Sequence, residues 1–392
     1  MNPNRLLNKG YVSLFFINLV VAVSFSMVTT TLPLHLKAVG TDLALIGTLV
    51  GCMSVASMCV RPFSGIISDR VRKRNLLQLS LLLIVAAMTG YSLTADVRLM
   101  VIFRILHGIG FSFATTVTLA LAADTIPAEK MTQGMGYFAI GQTIANAVAP
   151  GMGMAIGERF GYEIGFRAAA LLLAFAASVS FLFVAPSPRP ERRPVRSLRF
   201  SDFFAARALP FGLLSIAVAG STGVENGFVA LMGTEAGLGN IGWYFTLSAA
   251  ALLVSRLLIG RIADRNPRLV IFAGTMSIAL AFVLLWVSRA VSAASPAGFF
   301  AAAAVLKALG LGAVQPALQS ASMRSVDREH RGAASCTYYL GTDVGQAAGP
   351  IFGGAAAGAF GYAGMFGLAA LPLTIGGIAF TCYFTFRRKD GI

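Results

Sequence analysis

Long apolar runs broken by short charged turns recur along the whole chain. About 20 apolar residues are needed to carry a helix across ~30 Å of hydrocarbon. Runs of that kind predict helices near residues 11–36, 43–66, 75–95, 98–122, 132–156, 164–185, 209–233, 239–263, 268–288, 295–318, 332–357 and 362–385. The expected fold is therefore an all-α integral membrane protein of twelve transmembrane helices. The longest interruption, from Pro186 to Arg207, is dominated by Pro and Arg and is unable to enter a bilayer, so it reads as a linker. It divides the chain into an N-terminal six-helix bundle (1–185), a cytoplasmic basic linker (186–208) and a C-terminal six-helix bundle (209–392).

Motifs recur in the same order in both halves. Arg61-Pro-Phe-Ser-Gly65-Ile-Ile-Ser-Asp69-Arg70 is answered by Arg256-Leu-Leu-Ile-Gly260-Arg-Ile-Ala-Asp264-Arg265, and Gly108-Ile-Gly110 by Gly310-Leu-Gly312. Gly141 with Pro150-x-x-Gly153 is answered by Gly341 with Pro350-x-x-Gly353. Such ordered repetition indicates a duplicated six-helix unit, and hence two pseudo-symmetric bundles moving about a site near the midplane.

Composition sharpens the class. Charged residues make up 12% of the 392 residues and hydrophobic ones 56%; a soluble domain carries roughly 25% charged. The formal charge of +15 at first points to a nucleic-acid partner. Placement excludes it. On the predicted topology only Lys37, Arg98, Arg159, Arg167 and Arg289 fall on one side of the membrane, and Arg104 and Lys307 lie inside helices. The rest of the 31 basic residues gather on the other side. That asymmetry is the positive-inside pattern and makes both termini cytoplasmic, in the inner membrane of a bacterium. The first apolar run is too long for a cleavable signal. Cys52, Cys59, Cys336 and Cys382 match no metal spacing and read as small packing residues.

Gly65-x-x-x-Asp69-Arg70-x-x-Lys73-Arg74 resembles the cytoplasmic signature loop between helices 2 and 3 of the major facilitator superfamily, with Arg72 where that loop usually has glycine. The resemblance implies a conformational latch. In it Gly65 allows close helix approach, Asp69 meets a helix N-terminus of the opposite bundle, and Asp124 pairs with Arg70, Lys73 and their neighbours. Gly260, Asp264 and Arg265 form the second copy. The alternative is a charged turn that only enforces topology. Arg104-Ile-Leu-His107-Gly108 is similar to the family's helix 4 motif, whose arginine is implicated in proton coupling; a structural Arg tied to carbonyls is the alternative. Gly341-x-x-x-Gly345-x-x-x-Gly349-Pro350-x-x-Gly353 resembles the antiporter motif, a smooth, bent packing stripe. Helix 5 holds a weaker version through Gly141, Pro150 and Gly153. Thr31-Leu-Pro33-Leu-His35 is similar to a segment of twelve-helix drug exporters.

Of the 16 acidic residues, Glu225 and Asp343 fall within predicted helices away from their ends. A carboxylate in hydrocarbon needs a partner or a proton, so each is a candidate proton carrier, with Lys307 as counter-charge. A static ion pair is the alternative reading. Asn18, His107, Gln142, Asn146, Asn226, Lys307, Gln315 and Tyr338 are the candidate substrate-cavity residues. No P-loop, nucleophile elbow or clustered metal set appears, which argues against an enzyme, a metal and a cofactor. The resulting expectation is a monomeric, proton-coupled exporter of a small organic molecule, resembling the drug:proton antiporters. A nutrient importer or, less naturally, a non-transporting membrane sensor are the rival functions.

Overall fold

In the computed structural model, residues 8–94, 96–126, 131–184, 204–289, 296–327 and 331–389 are described. These residues are almost entirely helical. The first ten helices are α1 (Lys9–Ala38), α2 (Leu43–Arg70), α3 (Lys73–Leu93), α4 (Val97–Thr125), α5 (Met131–Phe160), α6 (Tyr162–Phe183), α7 (Leu209–Glu235), α8 (Gly242–Arg265), α9 (Pro267–Val287) and α10 (Pro296–Arg324). The last helical stretch, Arg331–Lys389, is broken at Gly361, whose φ of 70° and ψ of 172° interrupt the helix. It therefore comprises α11 (331–360) and α12 (362–389). Among the described residues that division is consistent with the expected twelve helices.

Local chemistry explains the boundaries. Asn8 caps α1 by accepting from the Tyr11 N–H at 2.8 Å, and donates to the Thr125 carbonyl at the end of α4. Asn266 caps α9, and Pro267 follows where a missing N–H is harmless. Among the described residues, nine stretches are long and apolar enough to cross a membrane; one of them, Cys336–Thr385, holds both α11 and α12. Large apolar side chains such as Leu171, Phe175, Leu182, Phe352 and Ile375 point outward, as lipid-facing surfaces do.

The chain divides into two compact units, residues 1–40 with 52–194 and residues 41–51 with 195–392. Within the first, α1 packs on α5 and α6, and α3 on α4 and α6. Within the second, α7 packs on α11, and α10 on α8 and α9. The repeated glycines make these pairings possible. Gly108 lies against Met53 and Ala56 of α2, and Gly110 against Ser80 and Ile84 of α3. In the same way Gly312 lies against Ser255 of α8, and Gly310 against Gly274 and Ile278 of α9. The duplication seen in sequence is a duplication of helix contacts.

Two expectations need correction. The Gly65–Lys73 signature is not a loop: α2 continues to Arg70, and only Val71 and Arg72 precede α3. Nothing after Pro62 breaks the helix, and Arg72 adopts an ordinary extended φ of −62° that asks for no glycine. The cysteines, in turn, are not core packing residues. All four are free; Cys59, Cys336 and Cys382 are exposed on helix surfaces and Cys52 is half-buried. A small apolar thiol is as compatible with lipid as with a core. The linker of residues 186–203 lies outside the described residues.

Candidate functional site

Glu225 lies in the middle of α7 and is only 2% exposed. Among the described residues it is the only acidic side chain the fold buries. Two groups satisfy it. The Tyr244 hydroxyl, on the first turn of α8, donates to Glu225 Oε1 at 2.7 Å, and the Lys307 ammonium of α10 forms an ion pair with Oε2. Lys307 is itself 7% exposed at its side chain. Three helices of one unit thus deliver an acid, a base and a hydroxyl to one point. At ~1.5 Å of rise per residue, Glu225 lies about 15 Å from the Glu235 end of α7, and Lys307 about 16 Å from the Pro296 end of α10.

The first unit holds a second buried polar group. Arg104 on α4 is 1% exposed, with Tyr91 of α3 in hydrogen-bonding reach. The Tyr91 hydroxyl lies 3.3 Å from His107 Nδ1 and donates to the Phe103 carbonyl. His107 is buried against this tyrosine and Phe111. Sequence reading anticipated Arg104 and His107 but missed Tyr91 and Tyr244. The one available signal was general: a tyrosine deep in an apolar helix needs a partner for its hydroxyl.

The other candidates are more dispersed. Tyr338 donates to the Gln315 carbonyl at 3.3 Å, and both line a cavity of about 760 Å³ within the second unit. Asn18 donates to the Phe138 carbonyl at 3.4 Å, joining α1 to α5. Gln142 donates to Asn146 one turn later at 3.4 Å. Asn226, beside Glu225, is half-buried, as is Asp343 on α11.

Of the latch residues, Lys73 and Asp124 meet at 2.7 Å as α3 begins and α4 ends. The side chains of Gly65, Asp69, Arg70, Gly260, Asp264 and Arg265 lie outside the described residues.

The glycine motif of α11 faces α7. A methyl group at Gly341, Gly345 or Gly349 would collide with the backbone at Gly212, Ile216 or Gly220 respectively. Pro350 reaches Gly223 on the same seam, and Gly353 faces Val224. In the first unit the equivalent helices α1 and α5 meet less closely. Gly141 faces the ring of Phe15, and Gly153 the side chains of Met27 and Thr31. The Ala145 and Ala149 substitutions within the weaker motif fit that wider spacing.

Comparison with known proteins follows this architecture. The family model of the Major Facilitator Superfamily matches residues 14–239 and 211–391. The multi-drug resistance efflux pump PmrA of Streptococcus pneumoniae is 22% identical over 388 residues, covering 94% of this chain and 93% of that protein. The staphylopine export protein of Staphylococcus aureus is 23% identical over 255 residues, 63% of this chain and 64% of that one. Among solved structures, the nucleoside transporter NupG matches with a TM-score of 0.83, over 96% of this chain and 100% of its own, at 14% identity. That last likeness concerns the fold. With the family match running across both six-helix units, this multi-pass membrane protein belongs to the Major Facilitator Superfamily, a family of transporters and not of enzymes.

Proposed function

We propose that the protein exports a small organic molecule across a bacterial inner membrane in exchange for protons, by exposing a central site to each side in turn. The observation that carries the proposal is the buried Glu225–Lys307 pair with its Tyr244 hydroxyl. In a dry interior this arrangement has two protonation states, of which the ionised pair is neutral and the protonated one carries a net positive charge. Either the carboxylate is ionised and matched by the ammonium, or it holds a proton and the ammonium must find another counter-charge or water. A group with two such states can count protons. Binding a proton at Glu225 frees Lys307, which ties the proton to a local rearrangement among α7, α8 and α10.

Arginine asymmetry supports a cytoplasmic position for both termini and the 186–208 linker. In that orientation Glu225 lies in the outer half of the membrane, nearer the side from which protons arrive. Export rather than import is supported by two relatives, an efflux pump and an export protein. Arg104, buried beside Tyr91 in the first unit, is a second candidate for the coupling machinery. Asp343 remains a subsidiary proton candidate. Asn18, Gln142, Asn146, Asn226, Gln315 and Tyr338 supply the polar contacts proposed for substrate. Asp69 with its arginine and lysine neighbours supplies the latch.

The test is proton movement in proteoliposomes containing a pH-sensitive dye, challenged with a panel of organic cations, anions and neutral compounds. Antiport predicts that at least one compound drives protons in the direction opposite to its own. Protons moving with the compound would mark an importer. Compound movement without protons would remove the coupling.

A further inference from the structure

The 760 Å³ cavity of the second unit is larger than the sequence candidates Gln315 and Tyr338 account for. All six helices from α7 to α12 contribute to its wall, each near the end that carries the arginine-rich turns. Its size falls within the roughly 300–1,000 Å³ typical of small-molecule pockets. The chemistry of the lining is one-sided. Arg256, Arg268 and Arg324 line it, and no carboxylate does among the described residues.

The arginines are not spread at random. Arg256 lies within α8, more than two turns before its end, whereas Arg268 opens α9 and Arg324 closes α10. One cation therefore stands further from its helix end than the other two. The Arg268 guanidinium is held over the Phe384 ring at 5.6 Å, which fixes it against the wall without consuming its hydrogen-bond donors. The α9 N-terminus, capped by Asn266, borders the same space through Pro267. Facing these cations are the rings of Phe211, Phe380 and Phe384.

We propose that this cavity binds an anionic amphiphile: a phosphate or carboxylate head held by Arg256, Arg268 and Arg324, with an apolar body against Phe211, Phe380 and Phe384. Guanidinium groups match such heads in charge and in planar donor geometry, and a cavity with cations and aromatics but no acid selects against organic cations. The shared chemistry has two sources, an anionic phospholipid of the adjacent leaflet or a soluble anionic metabolite or drug. The proposal stands apart from the coupling role of Glu225, since it concerns binding with no gradient and uses none of Glu225, Tyr244 or Lys307.

The experiment uses purified full-length protein in non-ionic detergent. One arm measures binding of 1-naphthyl phosphate against neutral 1-naphthol by calorimetry. The other counts bound phosphatidylglycerol against phosphatidylcholine by native mass spectrometry. In at least one arm the anion is expected to bind about tenfold or more tightly than its control. The preference is expected to disappear in the Arg256→Gln/Arg268→Gln variant and to persist in Arg256→Lys/Arg268→Lys. A preference in the first arm alone assigns a soluble ligand, and in the second alone a lipid. If the double Gln variant fails to fold, each single Gln variant is expected to lose part of the preference. No preference in either arm, or a preference that the Gln variants keep, overturns the proposal.

Discussion

Lys307 and Glu225, on α10 and α7, form an ion pair in which both side chains are almost wholly removed from solvent. Such a pair is more costly to break than to replace. Truncating one partner of a buried pair destabilises by about 3–5 kcal/mol, whereas replacing both by apolar or neutral groups is often near neutral. Lys307→Met is therefore expected to lower the unfolding temperature of the purified protein markedly. Glu225→Gln/Lys307→Met is expected to recover most of the loss. Equal destabilisation of the single and double variants would mean that the pair contributes packing and not charge compensation.

Tyr244 offers a finer probe of the same point. Removing its hydroxyl leaves the ring in place, edge-on to Phe245 and Phe300. A hydrogen bond to a charged group contributes about 1.5–3 kcal/mol. Tyr244→Phe is expected to keep the fold, with a modest drop in thermal stability, and to shift the pH dependence of transport. An unchanged pH profile would restrict Tyr244 to a structural role.

How far the site was legible in sequence follows from what each residue asks of its surroundings. A charge in an apolar run announces itself, so Glu225, Lys307 and Arg104 stood out, and the pairing of the first two followed from scarcity. Tyr244 did not, because a tyrosine at a helix start is common and its hydroxyl bond depends on how α8 lies against α7. The glycine stripe of α11 declared that some helix approaches closely. It could not name α7, since helix choice is a tertiary outcome and Gly212 and Gly220 carry no conspicuous motif. The extent of α2 was misjudged because charges at 69 and 70 looked like a loop, although charged residues end membrane helices as readily as they leave them.

The two glycine seams are expected to respond differently to a single methyl group. At Gly349 an added Cβ runs into the Gly220 backbone, which cannot turn aside. At Gly141 the nearest atom is Phe15 Cε2 at 3.3 Å, part of a side chain able to give way. Overpacking a tight site costs about 1–3 kcal/mol. Gly349→Ala is expected to lower the unfolding temperature by several degrees, and Gly141→Ala to leave it nearly unchanged. Similar losses at both positions would contradict the difference in packing.

The proposed topology is tested by labelling. With Cys59, Cys336 and Cys382, which are exposed, changed to Ser together with Cys52, a single cysteine at Pro190 is expected to react with a membrane-impermeant maleimide only when the cytoplasmic face is open to the reagent. Reaction in intact cells would invert the assignment of both termini.

The coupling proposal makes its sharpest claim for Glu225→Gln. The amide preserves the shape of the side chain and can still accept from Tyr244, so the variant is expected to fold, at a lower unfolding temperature because Lys307 loses its partner. It cannot exchange a proton, and it leaves Lys307 with no ionised partner on α7. Uphill transport driven by an imposed pH gradient requires the proton to load and leave once per cycle, so it is expected to fall to background. Exchange of labelled for unlabelled substrate at equal pH needs no net proton movement, and there the variant is expected to retain a substantial part of the rate. The two assays run on the same proteoliposomes, which separates loss of coupling from loss of fold. Undiminished uphill transport by Glu225→Gln would exclude this carboxylate from the mechanism and transfer the proton role to Asp343 or to the Arg104 group.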